Sequence, residues 1–202
     1  MSRALFLRHG ESAHNAHTGR EALGGEEGDR LTERGLAQAR AAGPGLAGEG
    51  ITRLLASPMR RAAETAAAVG AALGLEPQTI PYVHELGPGE SFEDLVARVR
   101  RLKGELESLP AAELPLLVGH GIFSRFFLLD SVLGPEFTPP MAAGIWNLGS
   151  CNCGLSVFSR GEVRDPGGTE VPGWTCLSWM QRPWDPPRPP GVDRPARPAT
   201  AR

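Results

Sequence analysis

Lysine is almost absent from this chain: Lys103 is the only lysine among 202 residues, and arginine supplies the rest of the positive side-chain charge. The formal net charge is -2 at pH 7. An excess of positive charge, which would attract nucleic acid or an anionic membrane surface, is missing. We therefore expect neither nucleic acid nor a membrane as a partner.

Cysteine is also scarce, with Cys151, Cys153 and Cys176 as the three thiols. A small, odd number of cysteines provides no disulfide framework and is typical of a reducing compartment. The C-x-C pair has too few ligands for a zinc site, so we interpret these thiols as packed in or beside a strand. No carboxylate cluster suits Mg²⁺ either, and we expect no metal and no cofactor.

Long hydrophobic runs are missing as well. No stretch approaches the ~20 apolar residues of a membrane-spanning helix. The apolar start over residues 4–7 is too short for a signal peptide and continues directly into Arg8 and His9. We expect a cytoplasmic location.

What the sequence does contain is a regular alternation of two patterns. Short apolar runs predict strands at residues 3–7, 54–56, 78–82, 114–118, 153–158 and 174–180. Between them, apolar residues at helical spacing predict helices over 33–46, 57–73, 91–109 and 122–133. Strands that alternate with helices indicate an α/β domain with a largely parallel sheet. The chain is long enough for one well-buried domain.

Local signals refine three boundaries. Thr32 is suited to be the N-cap of the helix over 33–46. Ser57 and Pro58 are suited to the N-cap and first position of the next helix, which Gly74 would end. Residues 13–30 are polar and rich in Gly, His and Glu, and are predicted to be loop.

The end of the chain differs in composition. Residues 181–202 are rich in proline and arginine and show neither helical nor strand periodicity. We predict one domain over residues 1–180, followed by an extended or disordered tail over 181–202.

Polar side chains follow several of the predicted strands. Arg8 and His9 follow the first strand, Arg60 and Arg61 open the helix after the second, and His120 follows the fourth. The carboxyl ends of parallel strands lie along one edge, where ligands bind. Guanidinium groups can bind phosphate oxygens bidentately, so the sequence predicts a phosphate site at this edge.

A histidine in such a site can do chemistry. Neutral imidazole is a good nucleophile near pH 7 and can split phosphate ester hydrolysis into two steps through a phosphohistidine. The leaving alkoxide then needs a proton, and Glu85, just after the third strand, is the candidate donor. No tight motif surrounds Glu85, and Glu90 and Glu93 remain alternatives.

Four segments resemble motifs of the histidine phosphatase superfamily, which includes the cofactor-dependent phosphoglycerate mutases. Residues 8–12 (R-H-G-E-S), with Asn15 following, resemble its signature. Residues 31–39 resemble its L-T-x-x-G-x-x-Q-A helix start, and residues 57–66 its S-P-L-x-R-A-x-x-T-A element. Residues 117–121 (L-V-G-H-G) resemble its second-histidine strand. The resemblance implies a phosphoglycerate mutase-like three-layer α/β/α sandwich.

The resemblance also implies roles for single residues. His9 would accept the phosphoryl group, and Glu85 would be the proton donor and then the base for water. The phosphoryl oxygens would be bound by Arg8, Arg61 and His120, with His120 as a cation. Asn15 would contact the phosphate or the rest of the substrate. Arg61 aligns with the motif's arginine, which leaves Arg60 as a solvated helix residue; the surface or loop histidines would be His14, His17 and His84.

The activity implied is a metal-independent phosphatase acting on a small phosphorylated substrate. Glycolytic mutases carry a basic, aromatic E-R-x-Y-G stretch where this chain has E-L-G-P-G at residues 85–89, which favours hydrolysis over mutase chemistry. Phosphoglycerate mutase-type transfer, a non-catalytic phosphate- or phosphoprotein-binding module and a protein phosphatase acting on phosphohistidine or phosphoserine stay open as alternatives. A homodimer also stays open.

Overall fold

A six-stranded sheet with the order β3-β2-β4-β1-β5-β6 lies at the centre of the computed structural model, which describes residues 2–16, 25–164 and 167–185. The first four of these strands in the order pair in parallel, and β5 and β6 add an antiparallel hairpin to one edge. The strands are β1 (Ser2–Arg8), β2 (Arg53–Ala56), β3 (Gln78–Thr79), β4 (Pro115–Gly119), β5 (Leu155–Arg164) and β6 (Glu170–Gln181).

Helices connect the parallel strands. They are α1 (Ala13–Ala16), α2 (Gly25–Gly28), α3 (Glu33–Leu46), α4 (Arg60–Leu73), α5 (Phe92–Glu107), α6 (Gly121–Leu133) and α7 (Pro139–Ala142), with 3-10 turns over Gly134–Glu136 and Ala143–Asn147. Thr32 caps α3 as predicted, because its hydroxyl accepts a hydrogen bond from the Gly35 amide. Ser91 and Asp94 form a capping box at the start of α5.

The two faces of the sheet carry separate apolar clusters. On β1, Leu5 and Leu7 pack with the buried alanines of α3 and α4, whereas Phe6 packs with α5 and α6. This alternation follows from the period of two along a strand. The predicted three-layer α/β/α sandwich with a mostly parallel central sheet is confirmed.

The predicted start of α4 is wrong. The helix begins at Arg60. Met59 occupies the N-cap position, but its side chain makes no capping hydrogen bond. The hydroxyl of Ser57 instead lies 2.7 Å from Nε2 of His120 and accepts from the Met59 amide. The chain therefore turns for three residues after β2 before it becomes helical. Asp29 supplies the missing cap by accepting a hydrogen bond from the Arg60 amide at 2.8 Å.

Three other segments differ from the sequence prediction. Within the predicted loop over 13–30, the short helices α1 and α2 form, and residues 17–24 lie outside the described chain. The strand predicted at 78–82 has only the two residues of β3. The closing hairpin of β5 and β6 is longer than predicted.

The ordered structure continues past the predicted domain end at residue 180. Gln181 is the last residue of β6, and Trp184 packs against Gly45 and the cluster under α3. Residues 186–202 lie outside the described part, so the extended tail stays a prediction. Cys153 is buried just before β5, and burial raises the pKa of its thiol to about 12. Across the described ranges, no helix is both long enough and apolar enough to cross a bilayer.

Candidate active site

The carboxyl ends of β1, β2 and β4 bring the predicted phosphate-site residues together. His9 follows β1, His120 follows β4, and Arg61 lies in the first turn of α4 after β2. The centroids of the two imidazole rings are 5.4 Å apart, and Nε of Arg61 lies 3.1 Å from Nε2 of His9. Residues that are far apart in the sequence thus share one site.

His9 has its two nitrogens in different environments. Nδ1 lies 2.7 Å from the carbonyl oxygen of Gly10, and because a carbonyl can only accept, Nδ1 carries the proton. Nε2 then has a lone pair, which accepts the hydrogen bond from Arg61. Burial and the nearby charges of Arg8 and Arg61 lower the pKa of His9 well below its ordinary value of 6.5. The ring is therefore neutral near pH 7, with Nε2 as its nucleophilic atom.

The backbone around His9 is held by close packing that requires glycine. A Cβ on Gly10 would lie 2.4 Å from the carbonyl oxygen of Gly35, and a Cβ on Gly35 would lie 2.0 Å from that of Glu11. The Gly10 amide donates to Oγ1 of Thr65, and the Glu11 amide donates to Oε1 of Gln38. These contacts explain why the glycine, glutamine and threonine of the three motifs occur together.

The two arginines are bound in different ways. Arg8 donates from Nη1 to Oγ of Ser150 at 3.2 Å, and among the described residues its buried Nε has no hydrogen-bond partner. Burial is the main cause that lowers the pKa of Arg8, which stays charged. Arg61 donates from Nη1 to Asp29 and from Nη2 towards Sδ of Met59.

His120 differs from its expected charge state. The ring is fully buried, and burial together with the neighbouring His9, Arg61 and Arg8 lowers its pKa well below 6.5. His120 is therefore neutral near pH 7 in this site without an anion, and its positive charge in the presence of a bound phosphoryl group stays a prediction. Its buried Nδ1 has no hydrogen-bond partner in the described part of the chain.

Glu85 lies at the N-terminus of α6. Its carboxylate accepts hydrogen bonds from the amides of Ile122 and Phe123, both at 3.1 Å. These amides are among the helix-start donors that have no partner within the helix. The carboxylate is thereby fixed at the wall of the pocket that contains His9.

The alternatives to Glu85 have other positions. Glu90 forms a two-pronged ion pair with Arg98, with donor distances of 2.6 and 2.8 Å. Burial alone would raise the pKa of Glu90, but the hydrogen bonds from Arg98 and the Gly87 amide outweigh it and lower the pKa. Glu93 is exposed on α5. Of the three carboxylates, only Glu85 contributes to the pocket wall.

The pocket beside His9 has a volume of about 780 Å³. It is lined by Arg8, His9, Ser12, His14, Asn15, Gly25, Glu26, Gly28, Asp29, Met59, Arg61, Glu85, Leu86, Pro88 and Ile122. Asn15 belongs to this wall, and its side-chain oxygen accepts from the amide of Ser12 at 2.7 Å.

The residues expected outside the site have mixed positions. Arg60 is exposed and paired with Glu64, as a solvated helix residue should be. His84 lies next to Glu85, and its Nδ1 is 2.9 Å from the Glu85 carbonyl oxygen. His14 is exposed yet also contributes to the pocket wall, and His17 lies outside the described residues.

Sequence reasoning missed several polar contacts of the site. Ser57 contacts His120, Ser150 contacts Arg8, and Asp29 contacts Arg61. Ser57 was visible in its motif but was assigned to a helix cap. Asp29 stands two residues before the L-T-x-x-G motif, and Ser150 lies in a region that has no recognisable motif.

Comparison with known proteins gives a consistent result. Residues 4–89 match the model of the histidine phosphatase superfamily (branch 1). The probable phosphoglycerate mutase GpmB of Yersinia enterocolitica is 28% identical in an alignment that covers 75% of this chain and 83% of the relative. The resemblance to this superfamily, predicted from the motifs, is confirmed.

Solved structures show the same fold. Mycobacterial glucosyl-3-phosphoglycerate phosphatase superposes with a TM-score of 0.70 at 24% identity, over 90% of this chain and 99% of that one. The phosphoserine phosphatase of Entamoeba histolytica, in complex with 3-phosphoglyceric acid, gives a TM-score of 0.63 at 18% identity, over 91% and 99% of the two chains.

Proposed function

We propose, on the premise that this chain belongs to the histidine phosphatase superfamily, that it hydrolyses phosphomonoesters through a phosphohistidine formed on His9. The observation that carries the proposal is the state of His9: a neutral ring with its proton on Nδ1 and the lone pair of Nε2 beside Arg61. A residue that only bound phosphate would not need its nucleophilic atom in this position. The pocket's own cations would neutralise the transferred group, without a metal ion.

The first step transfers the phosphoryl group to the enzyme. Arg8, Arg61 and His120 bind the phosphoryl oxygens, and Nε2 of His9 attacks phosphorus in line with the leaving oxygen. The new N–P bond forms as the P–O bond to the alcohol breaks. Glu85, in its protonated form, gives its proton to the leaving oxygen, and the alcohol departs.

The second step regenerates the enzyme. The carboxylate of Glu85 takes a proton from water while the water oxygen attacks phosphorus. The N–P bond breaks, orthophosphate leaves, and the neutral ring of His9 is restored.

A bound phosphate dianion changes the balance at His120. In the site without an anion, burial is the main cause that holds the pKa of His120 down, and His9, Arg61, Arg8 and His84 add to it. A negative charge within hydrogen-bond distance favours the protonated imidazole. His120 would then become a cation when the substrate binds, which increases the number of donors on the phosphoryl group.

The pocket wall favours hydrolysis over mutase chemistry. A mutase must hold a second phosphate, and both arginines among the described wall residues lie at the His9 end. The remaining wall combines apolar side chains such as Met59 and Leu86 with the carboxylates of Glu26 and Asp29. Mutase activity is the second candidate, because curated relatives of this chain are named as probable phosphoglycerate mutases.

Phosphate release from a panel of monoesters in excess chelator tests the proposal. The panel contains p-nitrophenyl phosphate, sugar phosphates, nucleotides, phosphoserine and 3-phosphoglycerate, and the last is also assayed for conversion to 2-phosphoglycerate. We expect release by the wild-type chain and by Arg60→Ala, and none by His9→Ala. Phosphoglycerate conversion that exceeds release would favour the mutase. Orthophosphate binding without any release would instead support a binding module.

A further inference from the structure

Asp29 connects the turn after α2 to the phosphate site. One carboxylate oxygen accepts from Nη1 of Arg61, and the other accepts from the backbone amide of Arg60 at 2.8 Å. The side chains of Arg61 and Asp29 are only 12% and 22% exposed, so water screens this ion pair weakly. Neither the motifs nor the predicted site included this residue.

The ion pair completes a set of contacts around one guanidinium group. Nε of Arg61 faces Nε2 of His9 at 3.1 Å, Nη2 lies 3.4 Å from Sδ of Met59, and Nη1 is held by Asp29. Asp29 also fixes the helix that carries Arg61, because it caps the first amide of α4. The guanidinium group is thus held by Asp29 through a different nitrogen from the one that faces His9.

We propose that Asp29 is a positioning residue that orients the Arg61 guanidinium towards the phosphoryl group on His9 and offsets part of its charge before an anion binds. The effect on turnover rests on the proposed phosphatase activity, whereas the effect on anion binding does not. A misplaced guanidinium would stabilise the transition state less well while still attracting an anion.

The segment around Asp29 has other attachments, which allow its role to be separated from simple anchoring. The amide of Leu31 donates to Oε2 of Glu64 at 2.8 Å, and the amide of Ala13 donates to the Arg30 carbonyl at 3.0 Å. Glu64→Ala removes an anchor of the same segment and the partner of Arg60 but leaves the contacts of Arg61 in place. It is the matched control for Asp29→Asn.

The experiment measures kcat, KM and the dissociation constant of orthophosphate for the wild-type chain, Asp29→Asn, Arg61→Ala, the double variant and Glu64→Ala. For Asp29→Asn we expect kcat to fall roughly 10- to 100-fold, as for a catalytic group displaced by about 1 Å. Orthophosphate should bind as tightly as in the wild type or up to about tenfold more tightly, because a carboxylate beside the anion has been neutralised. The double variant should be no slower than Arg61→Ala, because Asp29 acts through Arg61.

Several outcomes would overturn the proposal. An unchanged kcat in Asp29→Asn would show that Arg61 needs no positioning. Weaker orthophosphate binding in Asp29→Asn, equal losses in Glu64→Ala, or additive losses in the double variant would assign Asp29 to fold maintenance. If the wild-type chain released no phosphate from any ester, the proposed function would fail, and the orthophosphate titration of Asp29→Asn against Glu64→Ala would still decide the role of Asp29.

Discussion

At the scale of single residues, hydrogen bonds give the two nitrogens of His9 different protonation states. The Gly10 carbonyl accepts a hydrogen bond from Nδ1, which therefore carries the proton. Arg61 donates a hydrogen bond to the lone pair of Nε2. When a phosphoryl group is transferred, the same Arg61 donor can bind its oxygens. We therefore expect the proposed chemistry to depend on Arg61 much more than on its neighbour Arg60, which is exposed.

Substitution of these two arginines tests that difference. Arg61→Ala should lower kcat about 10²- to 10³-fold, as is found when one donor to a developing charge is removed. Arg60→Ala, which removes the same type of side chain from the adjacent position, should stay within about twofold of the wild type. Steady-state kinetics with p-nitrophenyl phosphate measures both. Similar losses in the two variants would contradict the assignment of Arg61.

The two buried histidines should make folding stability depend on pH. The pKa values of His9 and His120 lie well below the ordinary 6.5, which applies to the unfolded chain. Below pH 6.5 these two histidines are protonated in the unfolded state but stay neutral in the folded state. The free energy of unfolding therefore falls as pH falls. Two such groups give a slope of up to about 2.7 kcal/mol per pH unit.

Urea unfolding between pH 7.5 and 5.5 measures this slope. His120→Gln removes one of the two groups and should reduce the slope by about half over the same range. The lower limit keeps the measurement above the range in which most carboxylates titrate. A slope that is the same in His120→Gln and the wild type would contradict the buried neutral state of His120.

The sequence predicts which residues come together at the candidate site, because each of them follows a short buried strand or stands in a recognisable motif. It does not predict their partners. Arg8 and Ser150 are 142 positions apart, Ser57 and His120 are 63 apart, and Asp29 and Arg61 are 32 apart. Such pairs are set by how the elements pack, and no local pattern in the sequence records them.

At the scale of the elements, Glu85 is held in place by two neighbouring structures. Amides in the first turn of α6 donate to its carboxylate. Arg98 of α5 binds residues of the same loop that precede and follow Glu85. Arg98 donates to the carbonyl oxygens of Tyr82 and His84 and binds Glu90 with its planar fork. The position of Glu85, the proposed proton donor, thus depends on an arginine that does not itself line the pocket.

Arg98→Lys tests this dependence, because an ammonium group cannot reproduce the fork. We expect kcat to fall about tenfold for an alkyl phosphate, whose leaving group needs a proton, with little change in KM. The loss should be smaller for p-nitrophenyl phosphate, whose leaving group is more stable as an anion. Arg101→Lys, on the exposed side of α5, serves as the control. An equal loss of kcat for the two substrates would show that Arg98 does not act through proton donation by Glu85.

Element boundaries show where local signals suffice. Thr32 and Ser91 mark true helix starts because their own side chains satisfy the first amides. Ser57 and Pro58 are an equally strong helix-start signal, but α4 does not begin there. The hydroxyl of Ser57 contacts His120 instead, and Asp29 caps α4 from another segment. A cap supplied from a distant part of the chain cannot be recognised from the helix sequence.

At the scale of the whole molecule, the sheet separates two apolar clusters and carries the site at one edge. Trp184 extends the cluster on the α3 side beyond the last strand, where it packs on Gly45. The predicted domain over residues 1–180 therefore leaves out Trp184, whose side chain packs on the domain. Residues 186–202 still have the proline- and arginine-rich composition on which the prediction of a tail rests.

Two variants test where the folded unit ends. Trp184→Ala should lower the free energy of unfolding by roughly 1–3 kcal/mol, because it removes the apolar area that this partly buried side chain buries against Gly45 and the cluster under α3. Removal of residues 186–202 should leave it unchanged within about 0.5 kcal/mol, as expected for a solvated tail. Urea unfolding measures both. A truncated chain that is as unstable as Trp184→Ala would show that the tail packs on the domain.

The most direct test of the account is to trap the phosphorylated enzyme. The wild-type chain is mixed rapidly with a phosphomonoester in chelator, quenched in alkali, which preserves phosphohistidine, and digested for mass spectrometry. The account predicts one phosphoryl group on the peptide that contains His9, attached to Nε2 and lost on mild acid treatment, and none in His9→Ala. Substrate turnover with no phosphoryl group on His9, or turnover that persists in His9→Ala, would contradict it.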